Sequence, residues 1–142
     1  MKTRISYLTI TRFVATSLLP LNSYAHELIL SVDKIKTVKG VLMIALYNSA
    51  SSYTSDVNTF VGKKIEVTDK TINVNVGDIP AGEYAIKLFH DENSNGVIDK
   101  NLIGIPTEGY GFSNNGGAMG QPSFSDAKFT VDGNTLINIH LR

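Results

Sequence analysis

The sequence predicts an all-β domain, an antiparallel β-sandwich of about seven strands with one long Gly/Asn-rich loop. Three observations carry this. Apolar residues recur at every second position in most of the chain after residue 25, the period of a strand with one buried face. Turn-forming residues punctuate those runs at short intervals. The chain also has no cysteine among its 142 residues, so a disulfide-stapled fold is excluded and the core must come from packed side chains.

The first 25 residues form a separate unit. Lys2 and Arg4 give a positive start, Phe13 to Leu21 is an apolar run, and Ser23-Tyr24-Ala25 places small residues at the two positions a signal peptidase reads. Arg12 lengthens the charged region. The apolar run is shorter than the roughly 20 residues that span a bilayer, so a removable signal peptide at 1–25 is expected rather than an anchor. The β domain is then 26–142, delivered to the periplasm or the medium. Without cysteine, that domain also lacks a lipid-modified N-terminal thiol, thiolate metal ligands and a thiol nucleophile.

Along the domain, Leu28, Leu30 and Val32 make a first strand, and Val38-Lys39-Gly40 turns the chain. Val41 to Tyr47 is apolar on both faces, as expected of a central strand. Ser55 reads as the cap of a short helix with Val57, Phe60 and Val61 on one side and Gly62 at its end. Ile65 and Val67 alternate with Lys64 and Glu66, and Ile72, Val74 and Val76 alternate with Thr71, Asn73 and Asn75. Gly77 to Gly82 reads as a turn by composition. Tyr84, Ile86 and Leu88 share one face of the next strand, with Ala85, Lys87 and Phe89 on the other. Phe129 and Val131 lead into Asp132-Gly133, a hairpin signal, and Ile137, Ile139 and Leu141 close the chain.

The segment from Asp91 to Ser123 breaks the pattern. Six of the twelve glycines lie between Gly104 and Gly120. An aperiodic segment of this length inside a domain is functional or disordered as a rule. Ile98, Leu102, Ile103, Ile105, Tyr110 and Phe112 are scattered through it, and predict an ordered excursion packed on the sheets.

That excursion begins with the most informative stretch of the chain. Asp91, Asn93 and Asn95 place oxygen side chains at alternate positions, Gly96 permits a reversal, Val97 offers a carbonyl, and Asp99 adds a carboxylate. This is the first part of a calcium-loop pattern, in which a wrapping chain presents alternate oxygens to a hard cation that takes six to eight of them. The twelfth position, where a bidentate Glu belongs, is Leu102, and two of the first three ligands are neutral. A site at Asp91, Asn93, Asn95, Val97 and Asp99 would therefore need a further donor, Glu108 or water. It would bind calcium weakly, at about 10⁻⁴ to 10⁻³ M. The competing reading is a turn held by side-chain to backbone hydrogen bonds.

Other chemistries have less behind them. Lys2, Arg4 and Arg12 precede residue 26 with no acidic residue beside them, so the domain carries a net charge of −3. No basic run or patch is present, which gives no footprint for nucleic acid, and no second apolar segment spans a membrane. The expected partner is an unidentified envelope or extracellular one. Gly109-Tyr110-Gly111 lacks the third glycine and the strand–turn–helix setting of a dinucleotide site. No phosphate loop or nucleophile elbow is present, and no catalytic residue is assigned. His26, exposed as a new N-terminus, would chelate copper with His90 or His140. Asp91, Asp99 and Glu108 would serve an envelope-acting hydrolase if two of them met across a cleft. Tyr110, Phe112, Asn114 and Asn115 would line a sugar or peptide groove, or else pack the loop while the amides satisfy backbone groups.

The runs Pro80-Ala81-Gly82-Glu83-Tyr84-Ala85, His90 to Asp99, and Gly104-Ile105-Pro106-Thr107-Glu108-Gly109-Tyr110-Gly111-Phe112-Ser113-Asn114-Asn115 resemble a family of exported bacterial proteins known as domain of unknown function 2141. The resemblance implies an exported β-sandwich and supplies neither a catalytic residue nor a ligand. Ile79 to Tyr84 is also similar to the turn-strand entry of transthyretin-like sandwich domains, a likeness of fold that carries no function. A transthyretin-like or Ig-like sandwich is accordingly expected.

Overall fold

The computed structural model describes residues 24–142. The signal-peptide expectation falls almost wholly on residues outside these. Among the described residues, eight strands form two sheets. They are β1 (Ala25–Asp33), β2 (Val41–Tyr47), β3 (Val61–Glu66), β4 (Ile72–Pro80), β5 (Gly82–Asp91), β6 (Tyr110–Phe112), β7 (Phe129–Val131) and β8 (Thr135–His140). One sheet has the order β4-β1-β8; the other runs β3-β2-β5-β6, with β7 also on β5. The described residues also form two short α-helices, α1 (Ala50–Ser55) and α2 (Phe124–Ala127), and a 3-10 turn at Ser113–Asn115.

The strand alternation puts one apolar row of each sheet inward. Leu28, Leu30 and Val32 of β1, Val74 and Val76 of β4 and Ile139 of β8 share one buried cluster with Leu42, Ile44 and Leu46 of β2 and Ile86 and Leu88 of β5. Each such side chain contributes about 1.5–3 kcal/mol on leaving water, and the two sheets are held together by this shared layer.

The structure departs from the sequence expectations at five places, each with a local cause. First, Gly77 to Gly82 is not a turn, because β4 runs on to Pro80. The register against β1 slips between Leu28 and Ile29, a bulge at Gly77, whose φ is +128°. The bulge changes the phase, so Val76 and Ile79 are both buried although their spacing is odd. Second, the short helix lies earlier. Ser49 caps α1, its Oγ accepting the Ser52 N–H at 3.2 Å, and Asp56 ends it in the left-handed region. Val61 and Gly62 belong to β3.

Third, Asp132-Gly133 is no hairpin turn: β7 lies on β5 while β8 joins β1 in the other sheet. Fourth, β8 pairs with β1 in parallel, so the first sheet is mixed rather than antiparallel. Tight turns force antiparallel neighbours; a strand arriving from the opposite sheet is under no such constraint. Fifth, β6 is an additional strand inside the glycine-rich region.

β6 and β7 occupy the same edge of β5 end to end, facing Lys87–Phe89 and Gly82–Tyr84. Between them the Ile86 N–H has no strand partner, and Ser113 Oγ accepts it at 2.9 Å. Buried backbone donors must find such partners, so Ser113 substitutes for a missing strand residue. Asn115 does the same toward β8, its Oδ1 accepting the His140 N–H at 2.8 Å and its amide donating to the Asn138 carbonyl at 3.2 Å.

Gly40 links this scaffold to the loop beyond β5. Its φ is +68°, and a Cβ built there would lie 2.2 Å from the Asp91 carbonyl oxygen. Gly40→Ala is therefore expected to lose about 2–5 kcal/mol in urea unfolding, the left-handed penalty and the backbone clash together. Gly62→Ala, with nothing within 4 Å of its Cβ position, should stay within about 0.5 kcal/mol of the parent.

Candidate functional site

The outer face of the larger sheet is divided. At one end Tyr47 and Ala85 are covered by Tyr53 of α1 and Ala127 of α2, with Phe124 and Ala45 at the margin. The other end is open. Strand register aligns Lys64, Met43, Phe89 and Tyr110 in one row across the sheet, and Gly62, Ala45, Lys87 and Phe112 in the next. These rows form the floor of a groove of about 720 Å³, within the 300–1,000 Å³ range of small-molecule sites. Ile98, Lys100 and Pro106 line one side, and Gly120 and Gln121 line another. Gly62 contributes no side chain, which keeps the β3 end of the groove open.

The wall carrying Ile98 exists because of how the chain leaves β5. Asp91 ends that strand on the outer face and is fully buried. Its Oδ1 accepts the Asn95 N–H at 3.0 Å and its Oδ2 the Gly96 N–H at 2.8 Å. Hydrogen bonds to an ionised acceptor are about twice as strong as neutral ones, and these two bend the chain back on itself. Glu108, also buried, closes the loop from its other end. Its two oxygens accept the Glu92 N–H at 2.8 Å and the Asp99 N–H at 2.9 Å. Beyond Asp99 the chain makes a small hairpin, with the Thr107 N–H on the Asp99 carbonyl at 2.8 Å and a bridge between Lys100 and Pro106.

The residues singled out for cation binding are thus brought together in part. Asn93 and Asn95 both aim their amide nitrogens at Asp99, at 2.6 and 2.9 Å from its two oxygens. Their own Oδ1 atoms accept the Asn95 and Val97 N–H groups at 3.1 and 3.0 Å. Asp91 sits beneath the loop, occupied by backbone donors. Glu108 is a clamp on the loop ends, with both oxygens already engaged. Among the described residues no group of three or more His, Cys, Asp or Glu converges in a metal-holding arrangement; a cation here would depend on amide and carbonyl oxygens.

Other expectations fare differently. His26 and His140 sit at opposite ends of β1, since His140 pairs with Asp33. Seven residues of strand separate them by about 23 Å. His90 is buried, its Nε2 2.6 Å from the Lys39 carbonyl oxygen. The three imidazoles therefore do not meet in a copper site. Asp91 and Glu108 each accept two backbone N–H groups. In the aromatic and amide cluster, Tyr110 and Phe112 line the groove, while Asn114 donates to the Asp126 and Lys128 carbonyls, both at 2.9 Å. Ile98 is half-buried as anticipated, but Leu102, Ile103 and Ile105 are exposed. They lie at the tip of the hairpin, which stands off the sheet. Asn101 Oδ1 shapes that tip by accepting the Ile103 and Ile105 N–H groups.

Lys87 is the groove residue that sequence reasoning passed over. Its ammonium lies 4.3 Å from the Tyr53 ring centre and 5.3 Å from that of Tyr47. It donates to the Tyr53 carbonyl and to Asp56 Oδ1, the latter at 2.6 Å. Tyr47 donates its phenol proton to the same Asp56 oxygen at 3.1 Å. The available signal was a lysine on an otherwise apolar outer row, between Ala85 and Phe89.

A family model described as "Uncharacterized protein conserved in bacteria (DUF2141)" matches residues 30–138. The chain belongs to this family. The match covers the strands from β1 into β8 and the whole of the loop, so the groove and both its walls lie within the DUF2141 domain. No curated protein and no solved structure matches the chain. No helix among the described residues is long and apolar enough to cross a membrane.

Tyr53 gives a test of the cradle around Lys87. Its hydroxyl is buried with no hydrogen-bond partner among the described residues, and burial first, then Asp56, pushes its pKa from 10.0 up to about 12. Tyr53→Phe removes an unpaired polar group and should raise stability by about 1 kcal/mol at neutral pH. The parent holds its phenol proton more tightly folded than unfolded. Its contribution is therefore intact below pH 10 and is lost as pH climbs toward 12. Unfolding curves between those values should fall more steeply for the parent than for Tyr53→Phe.

Proposed function

We propose that this DUF2141 protein is an exported, non-enzymatic binding module in which a weak calcium-type loop shapes one wall of a ligand groove. The observation that supports this most is the placement of the groove. The segment from Asp91 to Asp99 contains Ile98 and leads into Lys100 and Pro106, and all three line the groove. Export rests on the signal-like pattern of residues 1–25, with the periplasm or the medium as destination. The fold we infer is a β-sandwich. In the constant-type immunoglobulin arrangement the first two strands share a sheet, whereas here β1 and β2 lie in different sheets, so the transthyretin-like form is preferred.

Calcium would enter by taking the place of the amide hydrogens that Asn93 and Asn95 now donate to Asp99. Turning the side chains of Asn93 and Asn95 about their last bond would present oxygen in place of nitrogen beside the Asp99 carboxylate; the Asn95 N–H would keep Asp91 as its acceptor and the Val97 N–H would turn to water. The Val97 carbonyl and a free lone pair of Asp91 would add to the set, and water would fill it to the six or more oxygens calcium requires. The metal would act by favouring one loop conformation.

Ten-fold excess of calcium over its dissociation constant is expected to stabilise the protein by about 1.4 kcal/mol, read as a higher melting temperature with calcium than with chelator. Asp99→Asn should abolish the difference. Coincident melting curves, with no heat in a calcium titration, would remove the cation from the proposal and leave the groove standing.

A further inference from the structure

We propose that the groove takes an anionic amphiphile, a single apolar chain ending in a carboxylate or phosphate. The inference rests on the groove being a binding site and adds the chemistry of what fills it.

Charge is the first argument. Residues 24–142 carry a net charge of −3, since Lys2, Arg4 and Arg12 lie before them and all thirteen acidic residues lie within them. The groove has the opposite balance. Lys63, Lys64, Lys87 and Lys100 line it against one acid, Asp56. By strand alternation Lys63 belongs to the inward row with Ile44 and Leu88, so three lysines face the groove. Asp56 is tied to Lys87. That leaves Lys64, at the β3 end, and Lys100, on the loop wall. No ion pair among the described residues engages either. A segment of net charge −3 that presents two ammonium groups without ion-pair partners at one concave surface favours an anionic guest there.

The second argument is the floor of the groove. Met43, Phe89 and Tyr110 form one apolar row, and Ala45 and Phe112 flank Lys87 in the next. Tyr110 and Phe112 meet edge to face, with ring centres 6.0 Å apart. Met43 adds an unbranched, adaptable side chain suited to a flexible guest. Leu102, Ile103 and Ile105 stand exposed on the hairpin whose stem lines the groove, and Met119 stands exposed beside Gly120. A polar guest such as a sugar would leave this floor unmatched, and a polyanion would find only two cations.

The test is calorimetric titration of the full chain, in chelator, with dodecanoate, dodecyl phosphate and the neutral dodecyl maltoside, each below its micelle concentration. One-to-one binding of either anion, with the neutral amphiphile at least about ten-fold weaker, is expected. Tight binding of one head and not the other identifies the source as a fatty acid or a lipid phosphate. The double substitution Lys64→Gln and Lys100→Gln should weaken the anion by about ten-fold, the worth of two partly exposed ion pairs, and leave the neutral compound unchanged. Gly62→Phe places a ring where the groove is open and should abolish all binding, with the fold checked by circular dichroism. Equal affinity for anionic and neutral compounds overturns the inference while the groove survives as an apolar site. Binding that persists in Gly62→Phe overturns the location. Absence of binding by all three overturns the groove as a site for amphiphiles altogether.

Discussion

A carboxylate buried at the end of a central strand is the constraint on which the open face of this molecule depends. An isolated ionised group in the interior is strongly unfavourable unless it is hydrogen-bonded. Asp91 meets that requirement with the N–H groups of Asn95 and Gly96, four and five residues further on. Satisfying the carboxylate therefore folds the chain back over the sheet. Glu108 completes the fold-back by holding Glu92 and Asp99 together. Two buried acids, neither in an ion pair with a basic side chain among the described residues, fix the loop.

The consequences run outward from that point. Gly40 must lack a side chain because the Asp91 carbonyl sits against it, and the loop stem becomes a wall because Ile98, Lys100 and Pro106 are carried over the rows of Met43 and Phe89. At the other end of the same sheet face, α1 and α2 cover the aromatic cluster, and Lys87 is held between them and the groove. Its charge is compensated by Asp56 and two aromatic rings, so the ammonium braces α1 against the sheet. The open half is thus bounded on one side by a hydrogen-bonded loop and on the other by a cation-centred cluster. Neither boundary belongs to the main core.

Much of this scaffold was legible in the residues. Leu28, Leu30 and Val32, or Ile72, Val74 and Val76, can alternate only as strands with one buried face. The misreadings come from places where a local rule is overridden by something distant. The Gly77 bulge re-phases β4, so a strand looked like a turn. Asp132-Gly133 has hairpin chemistry, yet the next strand finds its partner in the opposite sheet. Leu102, Ile103 and Ile105 were expected to be packed because they are apolar, but the hydrogen bonds of Asn101 lift them away. In the site, the alternating oxygens of Asp91, Asn93 and Asn95 were visible, and the division of labour among them was not. That Glu108 clamps the ends of the loop depends on contacts between residues 9 and 16 positions apart. The groove itself was not legible, since its floor combines β2, β3, β5 and β6, and a row across a sheet has no signature along the chain.

Amide hydrogen exchange in Asp91→Asn, compared with the parent, tests the role of the buried carboxylate most directly. The substitution replaces one acceptor oxygen with a donor facing a backbone N–H. Amides of Asn95, Gly96, Asp99 and Thr107 should lose protection together, while those of β1 and β4 keep theirs. Unchanged protection from residue 92 to 108 would contradict the dependence of the loop on Asp91, and with it the claim that this carboxylate raises the groove wall.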